Sequence, residues 1–192
     1  MENEKIGNLI LRMRKEKGFT QKQLADSISV SDKTVSKWER GLGCPDVSLL
    51  GELAKALGVS VDKILSGSLY PNDTNVGNLK RIKFYLCPVC GNIMTSVGES
   101  EISCCGRKLE ALSAKPADKE HEISIETIED DYYISFAHEM SKGHYISFMA
   151  YVRDDKLLFI KLYPEQGGEV RFARMHGGKI YYACNRHGLW VK

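Results

Sequence analysis

The sequence predicts an α+β multidomain chain. It should comprise an all-α head, a small four-cysteine knuckle and an all-β C-terminal domain. Three observations carry this. Up to about residue 66, apolar residues recur at helical spacing and are punctuated by capping residues. Cys87, Cys90, Cys104 and Cys105 crowd into one short segment. From Ile123 onward, short apolar runs alternate with Asp- and Gly-marked turns. The expected boundaries are 1–66 for the head, 67–80 for a linker, 81–115 for the knuckle and 116–192 for the β domain.

A length of 192 residues suits one to two ordinary domains, or three when some are small. The apolar fraction of 43% is enough for packed cores. The net charge of +2 is too close to neutral to announce a polyanionic partner. No apolar run approaches the roughly 18 residues of a membrane span, so no membrane partner is expected. The first residues lack the basic-then-apolar layout of a signal peptide. A cytoplasmic location is therefore expected. In that compartment six cysteines suit metal ligation or free thiols better than disulfides.

In the head, Ile6, Leu9, Ile10 and Met13 form one helical stripe, expected over Ile6 to Lys17 and closed by Gly18. Thr20 caps a second helix, with Gln23 at the capping-box position. Ser29-Val30 make a short turn, and Ser31 caps a third helix from Asp32 to Glu39. Further helices are expected over Val47 to Leu57 and Ser60 to Leu65. Two short helices joined by a tight turn describe a helix-turn-helix. Thr20-Gln21-Lys22-Gln23-Leu24-Ala25, Val30-Ser31 and Thr34-Val35-Ser36-Lys37-Trp38-Glu39-Arg40-Gly41 resemble the Xre/lambda-repressor-like DNA-binding domains over residues 6 to 66.

That resemblance implies a core of Leu24, Ile28, Val30, Val35 and Trp38, with Ala25 letting the helices approach. It implies that the third helix enters the major groove of double-stranded DNA by its N-terminal end. The groove-facing candidates are Asp32, Lys33, Thr34, Ser36 and Lys37, and Gln21 and Arg40 would meet phosphates. Asp32 can accept from a cytosine amino group. A homodimer on a two-fold operator follows from the same pattern. Cys44, alone in its loop, reads as a bystander.

Residues Ser66 to Asn78 are rich in Gly, Asn and Ser and read as a flexible linker. Phe84-Tyr85-Leu86-Cys87-Pro88-Val89-Cys90-Gly91 is a Cys-x-x-Cys knuckle, completed by Cys104-Cys105-Gly106. Four thiolates make a tetrahedral metal site, and so short a segment cannot build a core without such a staple. The adjacent cysteine pair resembles desulforedoxin, the small module that also opens desulfoferrodoxin. The resemblance implies one iron, with zinc as the alternative because thiolates accept either.

In the last module, Tyr145 to Val152, Leu157 to Leu162, Val170 to Met175 and Ile180 to Ala183 are strand-like, as is the alternation at Ile123 and Ile125. They suggest an antiparallel sandwich. Four of the five histidines lie in three short motifs with Cys184. Four imidazoles and one thiolate can fill five positions around a transition metal and leave a sixth open. His138-Glu139-Met140-Ser141-Lys142-Gly143-His144 and Cys184-Asn185-Arg186-His187 resemble the superoxide reductase domain of desulfoferrodoxin and neelaredoxin.

The resemblance implies an immunoglobulin-like β domain holding non-haem iron. The implied ligands are His121, His138, His144 and His187, with Cys184 axial. Superoxide would be the small-molecule ligand, reduced to hydrogen peroxide, and an electron donor such as a rubredoxin would re-reduce the iron. Asn185 is expected to hydrogen-bond the Cys184 sulfur, and His176 reads as a turn residue. Two departures stand out. Glu120 displaces the Lys that usually precedes the first histidine, and Glu139 replaces a Pro. Both carboxylates are expected near the open position, where they would repel an anion, with Lys119 and Lys142 as compensating cations.

These features support an iron-containing, redox- or superoxide-responsive transcription regulator. The alternative is a superoxide reductase carrying a DNA-binding head.

Overall fold

A computed structural model describes residues 2–70 and 78–192. The chain forms two compact units, Met1–Pro71 and Asn72–Lys192. Most of the expected linker, residues 71–77, lies outside the described residues. No described helix is long and apolar enough to cross a membrane.

The first unit contains α1 (Glu2–Glu16), α2 (Gln21–Ser27), α3 (Asp32–Glu39), α4 (Val47–Leu57) and α5 (Val61–Ser66). α1 starts four residues before its apolar stripe, because Glu2 and Glu4 complement the N-terminal dipole. Thr20 and Gln23 form a reciprocal capping box on α2. Ser31, Asp46 and Ser60 cap the next three helices. The turn between α2 and α3 passes through Ser29 at φ 56°. Leu24, Ile28, Val35 and Trp38 are buried with Ile10, Leu53 and Leu57, whereas Val30 only flanks this core.

Two features tie α1 to α3. A Cβ on Gly7 would lie 2.1 Å from the Trp38 carbonyl oxygen, so only glycine permits this approach. The Arg14 guanidinium donates to the Glu39 carboxylate at 2.5 and 3.0 Å and to the Phe19 carbonyl at 2.6 Å. Both partners are buried, at 9% and 8% exposure. Gln21 donates to the same carboxylate at 2.7 Å.

The second unit contains twelve described strands. β1 (Lys83–Leu86) pairs with β2 (Ile93–Ser96), and β3 (Ile102–Cys104) with β4 (Arg107–Leu109). Beyond them run β5 (Ala114–Pro116), β6 (Ile123–Ile128), β7 (Asp131–Phe136), β8 (Ile146–Val152), β9 (Leu157–Lys161), β10 (Glu169–Ala173), β11 (Lys179–Cys184) and β12 (Gly188–Val191). They make a three-stranded sheet, β10-β7-β6, and a five-stranded sheet, β5-β12-β11-β8-β9. Ile134, Val170 and Phe172 of the first pack with Met149, Ile180, Tyr182 and Trp190 of the second. The other face of the larger sheet carries Phe148, Ala150, Ala183 and Leu189, which pack with Phe84 of β1. With both faces covered, every residue of β8 is buried.

Candidate metal centres and nucleic-acid interface

On the head, Gln21, Asp32, Lys33, Ser36, Lys37 and Arg40 line one shallow cleft of about 280 Å³. Thr34, grouped with them on sequence, has its hydroxyl 2.8 Å from that of the capping Ser31. Lys33, Lys37 and Arg40 are exposed, while Val35 and Trp38 of the same helix point into the core. The helix therefore turns a polar, mainly cationic face outward.

Cys87, Cys90, Cys104 and Cys105 converge with their sulfurs within 4.8 Å of one another. Two turns achieve this. Cys105 and Gly106 both have positive φ, 50° and 73°, as a tight hairpin turn between β3 and β4 requires. The backbone N–H of Gly91, at φ 67°, bonds the Cys87 carbonyl at 2.9 Å. Backbone amides of Cys90 and Val89 aimed at the Cys87 sulfur pull its thiol down to about 6. Cys105, beside the sulfurs of Cys90 and Cys87, is pushed up to about 12. A cation at the centre would remove that mutual repulsion.

The second cluster is His121, His138, His144, Cys184 and His187, again within 4.8 Å. The imidazoles form a closed ring. Successive centroids lie 4.9 Å (His121 to His138), 4.5 Å (His138 to His144), 4.7 Å (His144 to His187) and 5.1 Å (His187 to His121) apart. His121 precedes β6 and stacks on Trp190 of β12 at 3.7 Å. His138 follows β7, His144 precedes β8, and His187 sits in the β11–β12 turn. Cys184 ends β11, where the register with β8 shifts, and such bulges re-aim a side chain.

Hydrogen bonds set which ring nitrogen faces inward. Nδ1 of His121 donates to Asp118 Oδ1 at 2.6 Å, and Nδ1 of His144 to Glu139 Oε2 at 2.8 Å. Nδ1 of His138 donates to the Glu139 carbonyl at 2.5 Å. Acceptor-only partners require each Nδ1 to carry the proton, leaving a lone pair on Nε2. Among the described residues, Nε2 of His138 and of His144 is buried without a hydrogen-bond partner. An orphaned buried acceptor costs about 1–3 kcal/mol. His121 Nε2 and His187 Nδ1 stand 3.1 Å apart, a separation that two lone pairs tolerate only with a proton or cation between them. Burial first, then the neighbouring imidazoles, lower the His138 pKa and favour its neutral, ligating form. The donors present fit a transition metal.

The surroundings add two details to the expectation. The Glu139 carboxylate is bonded to the outward nitrogen of His144. Asn185 does meet the Cys184 sulfur, its Oδ1 accepting from the thiol at 3.8 Å. Its amide nitrogen donates to the Gly143 carbonyl at 3.2 Å, and its oxygen accepts from the Tyr145 N–H at 2.9 Å. A backbone donor to Cys184 Sγ is the Arg186 N–H, at 3.4 Å. Sequence reasoning missed that amide, which has no residue signature, and Asp118, which lies three positions before a histidine. Lys119, Glu120 and Lys142 are exposed, and His176 is a left-handed turn residue at φ 52°. Cys44 is a free, exposed thiol.

The family model Helix-turn-helix matches residues 10–64. A desulfoferrodoxin of Desulfarculus baarsii is 32% identical over 121 residues, covering 58% of this chain and 95% of that protein. The HTH-type transcriptional activator BcrR of Enterococcus faecalis is 38% identical over 87 residues, 44% of this chain and 41% of its own length. The superoxide reductase of Treponema pallidum shares the fold, with a TM-score of 0.51 at 21% identity, over 58% of this chain and 97% of that one. With nearly the full length of such a relative reproduced behind a helix-turn-helix head, the chain belongs to the desulfoferrodoxin family.

Proposed function

We propose that this chain is an iron-containing transcription regulator that binds a double-stranded DNA operator and reports on superoxide or redox state. The observation that carries it is one polypeptide with two sites. A cationic cleft lies on a helix-turn-helix, and a closed ring of four imidazoles with a buried thiolate lies in the other unit. In this reading residues 1–66 bind DNA, 67–80 link, 81–115 form the four-cysteine module and 116–192 the iron domain. His121, His138, His144, Cys184 and His187 hold iron; Cys87, Cys90, Cys104 and Cys105 hold iron or zinc. The protein works as a homodimer on a two-fold operator in the cytoplasm. Operator affinity measured by fluorescence anisotropy should differ between reduced, oxidised and metal-free protein. Equal affinity in all three states would remove the sensing role.

The cleft also makes a separable expectation. Lys33→Ala with Lys37→Ala should weaken operator binding, relax its sequence discrimination and lower its salt slope, because each change removes a groove-facing cation from the polyanion's side. Both side chains are exposed, so the head should stay folded. Unchanged binding and slope would place the recognition surface elsewhere.

Iron in this centre would supply one-electron redox chemistry. The chain's own residues set the conditions. The Arg186 amide disperses charge on the Cys184 sulfur. Cys184 is almost fully buried, whereas His187 is exposed, so solvent reaches the ring on the His187 side. Lys119 and Lys142 are exposed cations that can draw in an anion, and Glu120 opposes them.

The complete five-donor set favours a second reading, a superoxide reductase fed by an electron donor such as a rubredoxin. Under it, Glu120→Lys should speed superoxide capture within the ~10- to 1,000-fold range of electrostatic steering, with a gain that shrinks as salt rises. Pulse radiolysis of the reduced protein reads this rate. A parent already at the diffusion limit and indifferent to the change would rank the enzyme above the regulator.

A further inference from the structure

The geometry points to Asp118 and Glu139 as positioning residues that fix three of the four imidazoles from behind, Glu139 serving two of them at once. This rests on the metal-centre reading above.

Glu139 uses two different groups. Its backbone carbonyl accepts from His138 Nδ1 at 2.5 Å, and its carboxylate accepts from His144 Nδ1 at 2.8 Å. These are neighbouring rings, with centroids 4.5 Å apart. One residue therefore sets the tautomer of two adjacent donors and the angle between them. Asp118 does the equivalent for His121. Its Oδ1 accepts from the ring at 2.6 Å, from the His121 N–H at 2.9 Å and from the Glu120 N–H at 3.1 Å. That wraps the backbone of the approach to β6 around the carboxylate. The His121 carbonyl is held as well, accepting from the Tyr182 hydroxyl at 2.6 Å.

A carboxylate on Nδ1–H also pushes electron density toward Nε2, which strengthens the imidazole as a donor. Two of the four rings have this anionic support. His138 has a neutral carbonyl instead, and His187 turns Nδ1 inward, 3.1 Å from His121 Nε2 and 3.8 Å from the Cys184 sulfur. The ring is thus electronically uneven, stiffened at His121 and His144 and softer at exposed His187.

The test is an anaerobic cobalt(II) titration of the full chain against a competing chelator. The thiolate-to-cobalt band of the Cys184 site would be followed apart from that of the four-cysteine site. Glu139→Ala should weaken cobalt binding at the first site about 10- to 100-fold and leave the four-cysteine site unchanged. Glu139→Gln should fall between parent and Ala, because its amide oxygen still accepts from Nδ1–H but carries no charge. Asp118→Asn should behave like Glu139→Gln. In the metal-free chain, nitrogen NMR should find His144 protonated at Nδ1 in the parent and mixed in Glu139→Ala. Parental affinity and an unmixed tautomer in the variants would overturn the positioning role while leaving the metal centre standing. A parent that takes up no cobalt at the His/Cys site would instead overturn the metal-centre reading, and this inference with it. If Glu139→Ala fails to fold, Glu139→Gln and Asp118→Asn decide alone.

Discussion

Cys184→Ser is expected to abolish the thiolate-to-metal absorption of the His/Cys centre and leave the four-cysteine signal intact, and Cys87→Ser should do the reverse. Cys184 is 1% exposed and supplies the sole sulfur among the five donors. A serine hydroxyl stays protonated near neutral pH, so neither the anionic donor nor its charge-transfer band survives. Backbone amides favour Cys87 as its thiolate. Its loss opens the four-cysteine site while the His/Cys donors, at strand ends and turns of the sandwich, keep their places. Absorption spectra of anaerobically purified variants, with circular dichroism to show folding, decide the matter. A folded single variant that loses both signals would mean that the two centres are not independent.

The second large effect concerns stability. Glu39→Ala is expected to destabilise the head by about 3–5 kcal/mol, the range for removing one partner of a buried ion pair. Small domains hold roughly 5–15 kcal/mol in total. Glu39 accepts from Arg14 and Gln21, so its loss leaves a buried guanidinium facing no anion and releases a side chain of the cleft lined by Lys33, Lys37 and Arg40. Arg14→Met combined with Glu39→Leu should recover much of the loss, because the penalty comes from the unpaired charge. The metal signals of the second unit should persist while the head melts. A loss below about 1 kcal/mol in the head's thermal melt would show that water solvates Arg14 after all.

Legibility in the sequence followed the range of the interaction. The capping box of Thr20 and Gln23 spans three residues and could be read directly, as could the stop at Gly18, which sits at φ 71°. Arg14 and Glu39 are 25 positions apart, and nothing local pairs them. β7 escaped notice because Tyr132, Tyr133, Ile134 and Phe136 do not alternate with polar residues and follow a run of acids. β12 escaped because four residues at the chain end resemble a tail. The sandwich needs both. β7 is the centre of the smaller sheet, and β12 carries Trp190 under His121. The histidines and cysteines were legible through their motifs, whereas the carboxylates and amides behind them were not. Asp118 and Arg186 act through bonds that only the folded loops create.

The covering of β8 has a consequence for how this chain can be divided. Phe148, Ala150, Ala183 and Leu189 face away from the sandwich core and are shielded by Phe84 and its neighbours. β5 also closes the β12 edge by parallel pairing. A version shortened to begin at residue 117 would present a bare greasy patch beside an unprotected strand edge, both of which invite aggregation. The larger sheet borrows its solubility from the segment that carries the four cysteines. In this polypeptide the two would have to be inherited, expressed and purified together.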